Sequence, residues 1–201
     1  MFRRLSGLIL EGGIAPGESI TVASLAEAFD VSPMPVREAL VRLQAIGALT
    51  VVSGRTIGIP KLTRARLDDL TRVRLEVETT AVRWAGNLVN PEFLGDLASN
   101  LERLREAERT ADAKLYVGAN HDFHFHVYRA AGSPVLTGMI EVLWLQISPY
   151  FHLLRGSGNF HISNERHEEL FEAFKGANVD RAVNALQADI TGAYRVLCDL
   201  I

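Results

Sequence analysis

The chain has 201 residues, 48% of them hydrophobic and 22% charged, with a formal net charge of −3. That balance suits one large globular domain or two smaller ones and excludes wholesale disorder. The charge gives no bulk attraction to nucleic acid, the single cysteine (Cys198) excludes an internal disulfide, and no apolar run reaches the roughly 20 residues that span a bilayer. At the amino end, Met1-Phe-Arg-Arg is basic, but Leu8-Ile-Leu is too short for a secretory apolar region and Glu11 interrupts it. The expected location is the cytoplasm.

The first sixty residues change structural type quickly. Leu5, Leu8 and Ile9 predict a helix that ends at Gly12-Gly13, followed by the turn Ala15-Pro-Gly-Glu18. Ser24 reads as the cap of a short helix ending at Phe29. Asp30-Val-Ser32 turns the chain, with Ser32 as N-cap and Pro33 at the first helical position of a third helix. That helix runs to about Ile46, where Gly47 stops it. Leu49–Val52 and Thr56–Ile59 flank Ser53-Gly-Arg55 as a β-hairpin, and Pro60 closes the unit. After Thr63 the pattern is helical, with segments over about 64–88, 91–109, 113–131, 134–155, 163–175 and 178–200. Asn90-Pro91, Gly132-Ser-Pro134, Gly156-Ser-Gly158 and Gly176-Ala-Asn178 separate them. Leu70, Val73, Val77, Ala81 and Trp84 recur at helical spacing and predict one buried stripe. The fold class is mainly α: a winged helix-turn-helix domain over residues 1–62, then an antiparallel all-helical bundle over residues 63–201.

In a helix-turn-helix the second helix enters the major groove. Val36, Ala39, Leu40 and Leu43 form the core face of the third helix, which turns Met34, Arg37, Glu38, Val41 and Arg42 outward. Arg37 is placed to read a base, because a guanidinium donates two bonds to guanine, whereas Arg42 and Arg55 suit phosphates. A solvated helix face with local ion pairs is the plainer alternative, since Arg3, Arg4, Arg37, Arg42 and Arg55 balance Glu11, Glu18, Glu27, Asp30 and Glu38. The string Ala15-Pro-Gly-Glu, then Leu25-Ala-Glu-Ala-Phe-Asp-Val-Ser, then Pro35-Val-Arg-Glu-Ala-Leu-Val-Arg-Leu-Gln-Ala-Ile-Gly, resembles the signature of GntR-family regulators. The resemblance implies that Ser32, Met34, Arg37 and the wing residues Ser53, Gly54 and Arg55 touch double-stranded operator DNA. The chain departs from the pattern at Pro33 and Met34, where an arginine and a threonine are common, so a different operator is expected. Its first helix is shorter than usual for the family, which suggests a native start upstream of Met1.

Three of the six histidines fall within Asn120-His-Asp-Phe-His-Phe-His126. Residues four apart share a helix face, so Asn120/His124 and Asp122/His126 compete as ligand pairs. Ligand type favours the second pair. The continuation of the His124 face through Val127, Tyr128 and Ala131 turns His124 inward instead. Arg74 could anchor an anion or pair with Glu78 along its own helix. Tyr116, Trp144 and Tyr150 could wall a pocket or serve as simple core, and Gln146 and Ser148 could bond a ligand.

The order Arg74-x-x-x-Glu78, Phe123-His124, Gly132-Ser-Pro134, His167 and a final helix resembles the FCD-type domain of the FadR subfamily of GntR regulators. That resemblance implies a metal site of Asn120, His124, His167 and Asp189, with Zn²⁺, Ni²⁺ or Mn²⁺ as the divalent ion. Asn120 stands where aspartate is frequent and Asp189 where histidine is. The alternative is a pair of core histidines bonded to Asn120 and Asp189 without an ion. It further implies a homodimer, a small organic acid as effector, and repression as the usual output. An enzyme, in which the metal activates water, and a pure metal sensor are the competing functions. The expectation is a regulator, not an enzyme, because no general base stands beside a nucleophile and an enzyme would leave the DNA reader idle.

Overall fold

In the computed structural model, residues 1–54, 56–154 and 159–201 are described, with backbone alone for His152, Asn159 and Phe160. The amino-terminal head contains α1 (Phe2–Leu10), α2 (Val22–Phe29), α3 (Pro33–Ala45), β1 (Thr50–Ser53) and β2 (Thr56–Gly58). The strands pair antiparallel with Val51 opposite Ile57, and Ile20 adds a bridge to Ile57 that ties the wing to the start of α2. Leu5, Ile9, Val36, Leu40 and Leu43 are at most 1% exposed and fill the space between α1 and α3.

Local chemistry explains where these helices begin and end. The cap of α2 is Thr21, not Ser24: the Thr21 and Ser24 side chains each bond the other's backbone N–H, closing a capping box one turn earlier than expected. Ser32 precedes Pro33 in extended geometry but makes no side-chain capping bond. At the far end of α3, Gly47 adopts φ +71°, and Ala48 N–H donates to Leu43 O at 3.0 Å. This left-handed exit turns the chain sharply into the wing.

The remaining elements are α4 (Arg64–Gly86), α5 (Pro91–Arg109), α6 (Ala113–Ala130), α7 (Pro134–Ile147), a 3-10 segment (Ser148–Leu154), α8 (Asn159–Lys175) and α9 (Val179–Asp199). Thr63, Asn90, Asp112, Ser133 and Asn178 each cap a helix start with a side-chain oxygen. Helix α4 packs on α6, α7 and α9, α5 packs on α6 and α8, and α8 lies along α9. No helix among the described residues is long and apolar enough to cross a membrane.

Three expectations for this bundle need correction. The helix expected over 163–175 already begins at Asn159. The helix expected over 134–155 stops at Ile147 and tightens into the 3-10 segment. Pro149 lacks the N–H that an α-helix would donate to Leu145, which ends the regular ladder there. The buried stripe of α4 is also different: it comprises Leu67, Leu70, Arg74, Glu78, Ala81 and Ala85, whereas Val73 and Trp84 are 38% and 47% exposed. A polar pair, Arg74 and Glu78, sits in the middle of the inner face, and Val73 and Trp84 of the expected stripe look outward.

Candidate ligand centre and DNA-facing surface

On α3 the sequence-expected outward set is exposed: Met34, Arg37, Glu38, Val41 and Arg42 all face solvent. Arg37 lines the groove between α3 and the wing, beside Val41, Val51 and Gly54. Arg42 sits on the opposite flank with its guanidinium 4.1 Å from the centre of the Phe2 ring, so α1 orients it. Ser32, Ser53 and Gly54 are exposed, Gly54 in the same groove as Arg37. Arg55, expected at the wing tip, lies outside the described residues.

Inside the bundle, α6, α8 and α9 bring together His124, His167 and Asp189. His124 Nε2 lies 3.0 Å from His167 Nε2 and 3.3 Å from Asp189 Oδ2, and His167 Nε2 lies 3.9 Å from the same oxygen. Both histidines are at most 2% exposed. Burial pushes His167 down to about 3, against the pull of Asp189, so its ring is neutral. Asp189 is held below the usual carboxylate range: burial opposes its charge, but the adjoining His167 and His124 rings and the Ser163 hydroxyl outweigh it.

The surrounding partners assign the ring protons. Tyr128 donates its hydroxyl to buried Glu78, leaving its oxygen to accept His124 Nδ1–H at 3.2 Å. Asn164 donates its amide to Leu104 O and to Glu108 Oε2 at 2.6 Å, which turns its oxygen toward His167 Nδ1 at 3.4 Å. Each imidazole therefore carries its proton on Nδ1 and presents a bare Nε2 lone pair. Ser163 donates to the other oxygen of Asp189. Three electron-rich atoms thus converge with no donor between them.

That arrangement fits a divalent ion. Ligands roughly 2 Å from a shared ion are separated by about 3–4 Å from one another, as these three are. The outer partners are of the kind that orient metal-binding imidazoles.

A cavity of about 20 Å³, room for roughly one water, adjoins this cluster. Arg74, Tyr116, Asn120, Trp144, His124 and Asp189 line it. Arg74 is 5% exposed and its Nε donates to Glu78 Oε1 at 2.6 Å, so the intrahelical pair and the cavity position coexist. Trp144 Nε1 is a buried donor without a hydrogen-bond partner among the described residues. Asn120 is buried one turn before His124, on the same wall. Tyr150 is not among the lining residues: its hydroxyl donates to Pro60 O in the connector to the head, and burial pushes it up to about 12. Of the alternative ligand pair, Asp122 is bound to Arg103 at 2.7 Å and His126 packs on Phe93 of α5.

Sequence reasoning did not assign Tyr128, Ser163, Asn164 or Arg66, and it treated Glu78 only as a partner for Arg74. Tyr128 was accessible in principle, being one turn from His124 on the same face. Arg66 carried no local signal. From α4 it donates to Gly47 O at 2.7 Å, just past the end of α3, and to Gln146 Oε1 of α7 at 3.0 Å. Ser148, also considered a ligand contact, is buried with its hydroxyl unpartnered.

A winged head that offers a recognition helix, joined to a bundle with a buried His-His-Asp centre, defines a one-chain DNA-binding regulator. Comparison with known proteins agrees. The profile of bacterial regulatory proteins of the gntR family matches residues 1–59, and that of the FCD domain matches residues 69–192. The chain belongs to the FCD-domain group of GntR-family transcriptional regulators, and as such is not an enzyme. It is 34% identical over 143 residues to the HTH-type transcriptional regulator McbR of Escherichia coli, a match spanning 71% of this chain and 65% of that relative, just under two thirds of its length. It is 26% identical over 188 residues to the regulator YdhC of Bacillus subtilis, covering 90% of this chain and 82% of YdhC. The solved structure of E. coli McbR/YncC superposes with a TM-score of 0.90 at 27% identity, covering 99% of this chain and 95% of that one.

Proposed function

We propose that the protein is a homodimeric repressor whose grip on a palindromic operator is modulated by a small carboxylate bound beside a divalent metal ion. The observation that carries the metal is the convergence of two bare imidazole nitrogens and a carboxylate oxygen in a buried site. His124, His167 and Asp189 would hold the ion and Asn120 would approach as a neutral fourth donor, the ion supplying positive charge to attract an acid. Arg74 and the unpartnered Trp144 N–H supply further donors on the cavity wall. The cavity is small, so a carboxylate must enter with some outward movement of the 3-10 segment, whose Phe151 and Leu154 form part of the wall.

The dimer reading rests on Val73 and Trp84 of α4 and Leu88 just past its end, together with Val135 and Met139 of α7. These are 38–76% exposed, and the two helices pack against each other. A second copy would bury this apolar surface and set two heads against two half-sites. The sign of control follows from occupancy: a dimer seated on its operator blocks transcription until the acid weakens it.

Native mass spectrometry of the full chain tests the whole reading at once. The expected particle contains two chains and two divalent ions, and it gains one small acid per chain when acids are supplied. His124→Ala should keep the two-chain mass and lose the ions. A metal-free wild-type particle, prepared with zinc, nickel and manganese all available, contradicts the metal centre. A single-chain mass contradicts the dimer.

A further inference from the structure

The crown of the recognition helix is apolar. With 3.6 residues per turn, the direction opposite the buried Val36/Leu40/Leu43 face is occupied by Met34, Glu38 and Val41, while Arg37 and Arg42 fall to either side of it. Arg37 leans into the groove toward the wing and Arg42 stacks on Phe2. Met34 is 63% exposed and Val41 58% exposed, and Met34 stands in the first turn, next to Pro33. Proline has no N–H, so the helix start that would grip a phosphate is short of one donor there.

A side chain without donors or acceptors cannot read the hydrogen-bonding edge of a base. Against the floor of the major groove it has one complementary group among the four standard bases, the C5-methyl of thymine. We propose that Met34, with Val41 behind it, is a specificity-determining residue that reads thymine methyl groups, while the flanking arginines hold guanine or backbone. The proposal rests on the operator-binding assignment of α3. It implies a half-site in which a thymine lies beside the base pairs nearest Arg37, and a preference set by methyl burial more than by bidentate hydrogen bonds.

The test begins by enriching the full-length protein's sites from a random duplex library. Deoxyuridine then replaces thymine one position at a time, which removes only the methyl group, and binding is followed by fluorescence anisotropy. One thymine per half-site should be sensitive, with affinity falling about fourfold per half-site, the worth of one buried methyl. Met34→Ala should bind the thymine and uracil duplexes equally, and Met34→Leu should retain the difference. The exposure of Met34 makes both variants safe for folding, which circular dichroism verifies. A wild-type protein indifferent to uracil at every position overturns the proposal while leaving operator binding intact. So does an undiminished uracil penalty in Met34→Ala. A library from which no sequence is enriched overturns the operator-binding assignment, and the thymine reading with it.

Discussion

Head and bundle place their polar groups in opposite ways. Among the described residues of the head, the only buried polar side chain is Ser6, and the charged residues of α3 all lie at the surface. The bundle buries Arg74, Glu78, Asn120, His124, Asn164 and His167, and leaves Val73, Trp84, Leu88, Val135 and Met139 exposed. A reader of long polymers must work from its surface, so its interior can be inert. A sensor of small molecules encloses its ligand, and its surface is then free to meet another copy. The energetic consequence is that mutations in the two regions fail differently. Surface changes in the head alter recognition without touching stability, whereas polar changes in the bundle interior alter both.

The largest effect that would break this contrast concerns Glu78, which is fully buried and accepts from both Arg74 and Tyr128. Glu78→Ala strands a buried guanidinium and removes the acceptor that orients Tyr128 and, through it, His124. The expected loss is about 3–5 kcal/mol of unfolding free energy by urea titration, the cost of breaking a buried pair from one side. A loss below about 1 kcal/mol would mean that bulk water already reaches Arg74, and the interior would not be a closed compartment.

Much of the head was legible because its signals are local. Proline after Ser32, glycine after Ile46 and the alternating hairpin each state their own backbone geometry, and only the capping residue of α2 shifted, from Ser24 to Thr21. The bundle was legible in most of its helix boundaries, where Asn90, Ser133 and Asn178 of the expected breaks each cap the helix that follows, but not in which face of α4 is buried. Apolar periodicity reports where hydrophobic residues lie, and here the inner face was given to an ion pair that serves the cavity. The ligand set came from the family resemblance, since helix spacing alone left two histidine pairs open. The hydrogen bonds that orient Tyr128 and Asn164 toward the two rings reach residues 50 to 60 positions away, and no sequence window spans them.

A middle-sized effect would sharpen the contrast by separating the two regions. Alternate residues of the α7 and 3-10 stretch face different clients: Trp144 and Phe151 line the cavity, while Gln146 reaches the head through Arg66 and Tyr150 reaches it through Pro60. Under the proposed function, movement of this stretch on ligand entry would pass to the end of α3. Arg66→Ala removes one hydrogen bond across the joint and a second that braces Arg66 from α7, and should cost about 1–2 kcal/mol. By differential scanning calorimetry, the expected outcome is two resolved transitions, with DNA binding retained and acid no longer able to release it. Persistence of the acid response in this variant would locate the coupling elsewhere, in α1, which also touches α6 and α7.

The smallest effect tests whether the head is as self-sufficient as its local signals suggest. Thr21 accepts from Ser24 N–H at 3.0 Å at the start of α2, and no cavity or bundle residue takes part. Thr21→Ala removes half of the capping box, and the expected cost is about 1 kcal/mol. If the head folds on its own account, the loss appears only in the transition assigned to it once Arg66→Ala has separated the two, and metal content is unchanged. If the bundle templates the head, the cap is redundant and the variant melts like its parent in either background. The second result would move the boundary between the two regions from the connector around Pro60 into α1, whose contacts with α6, α7 and the 3-10 segment are the other route by which the bundle could hold the head in shape.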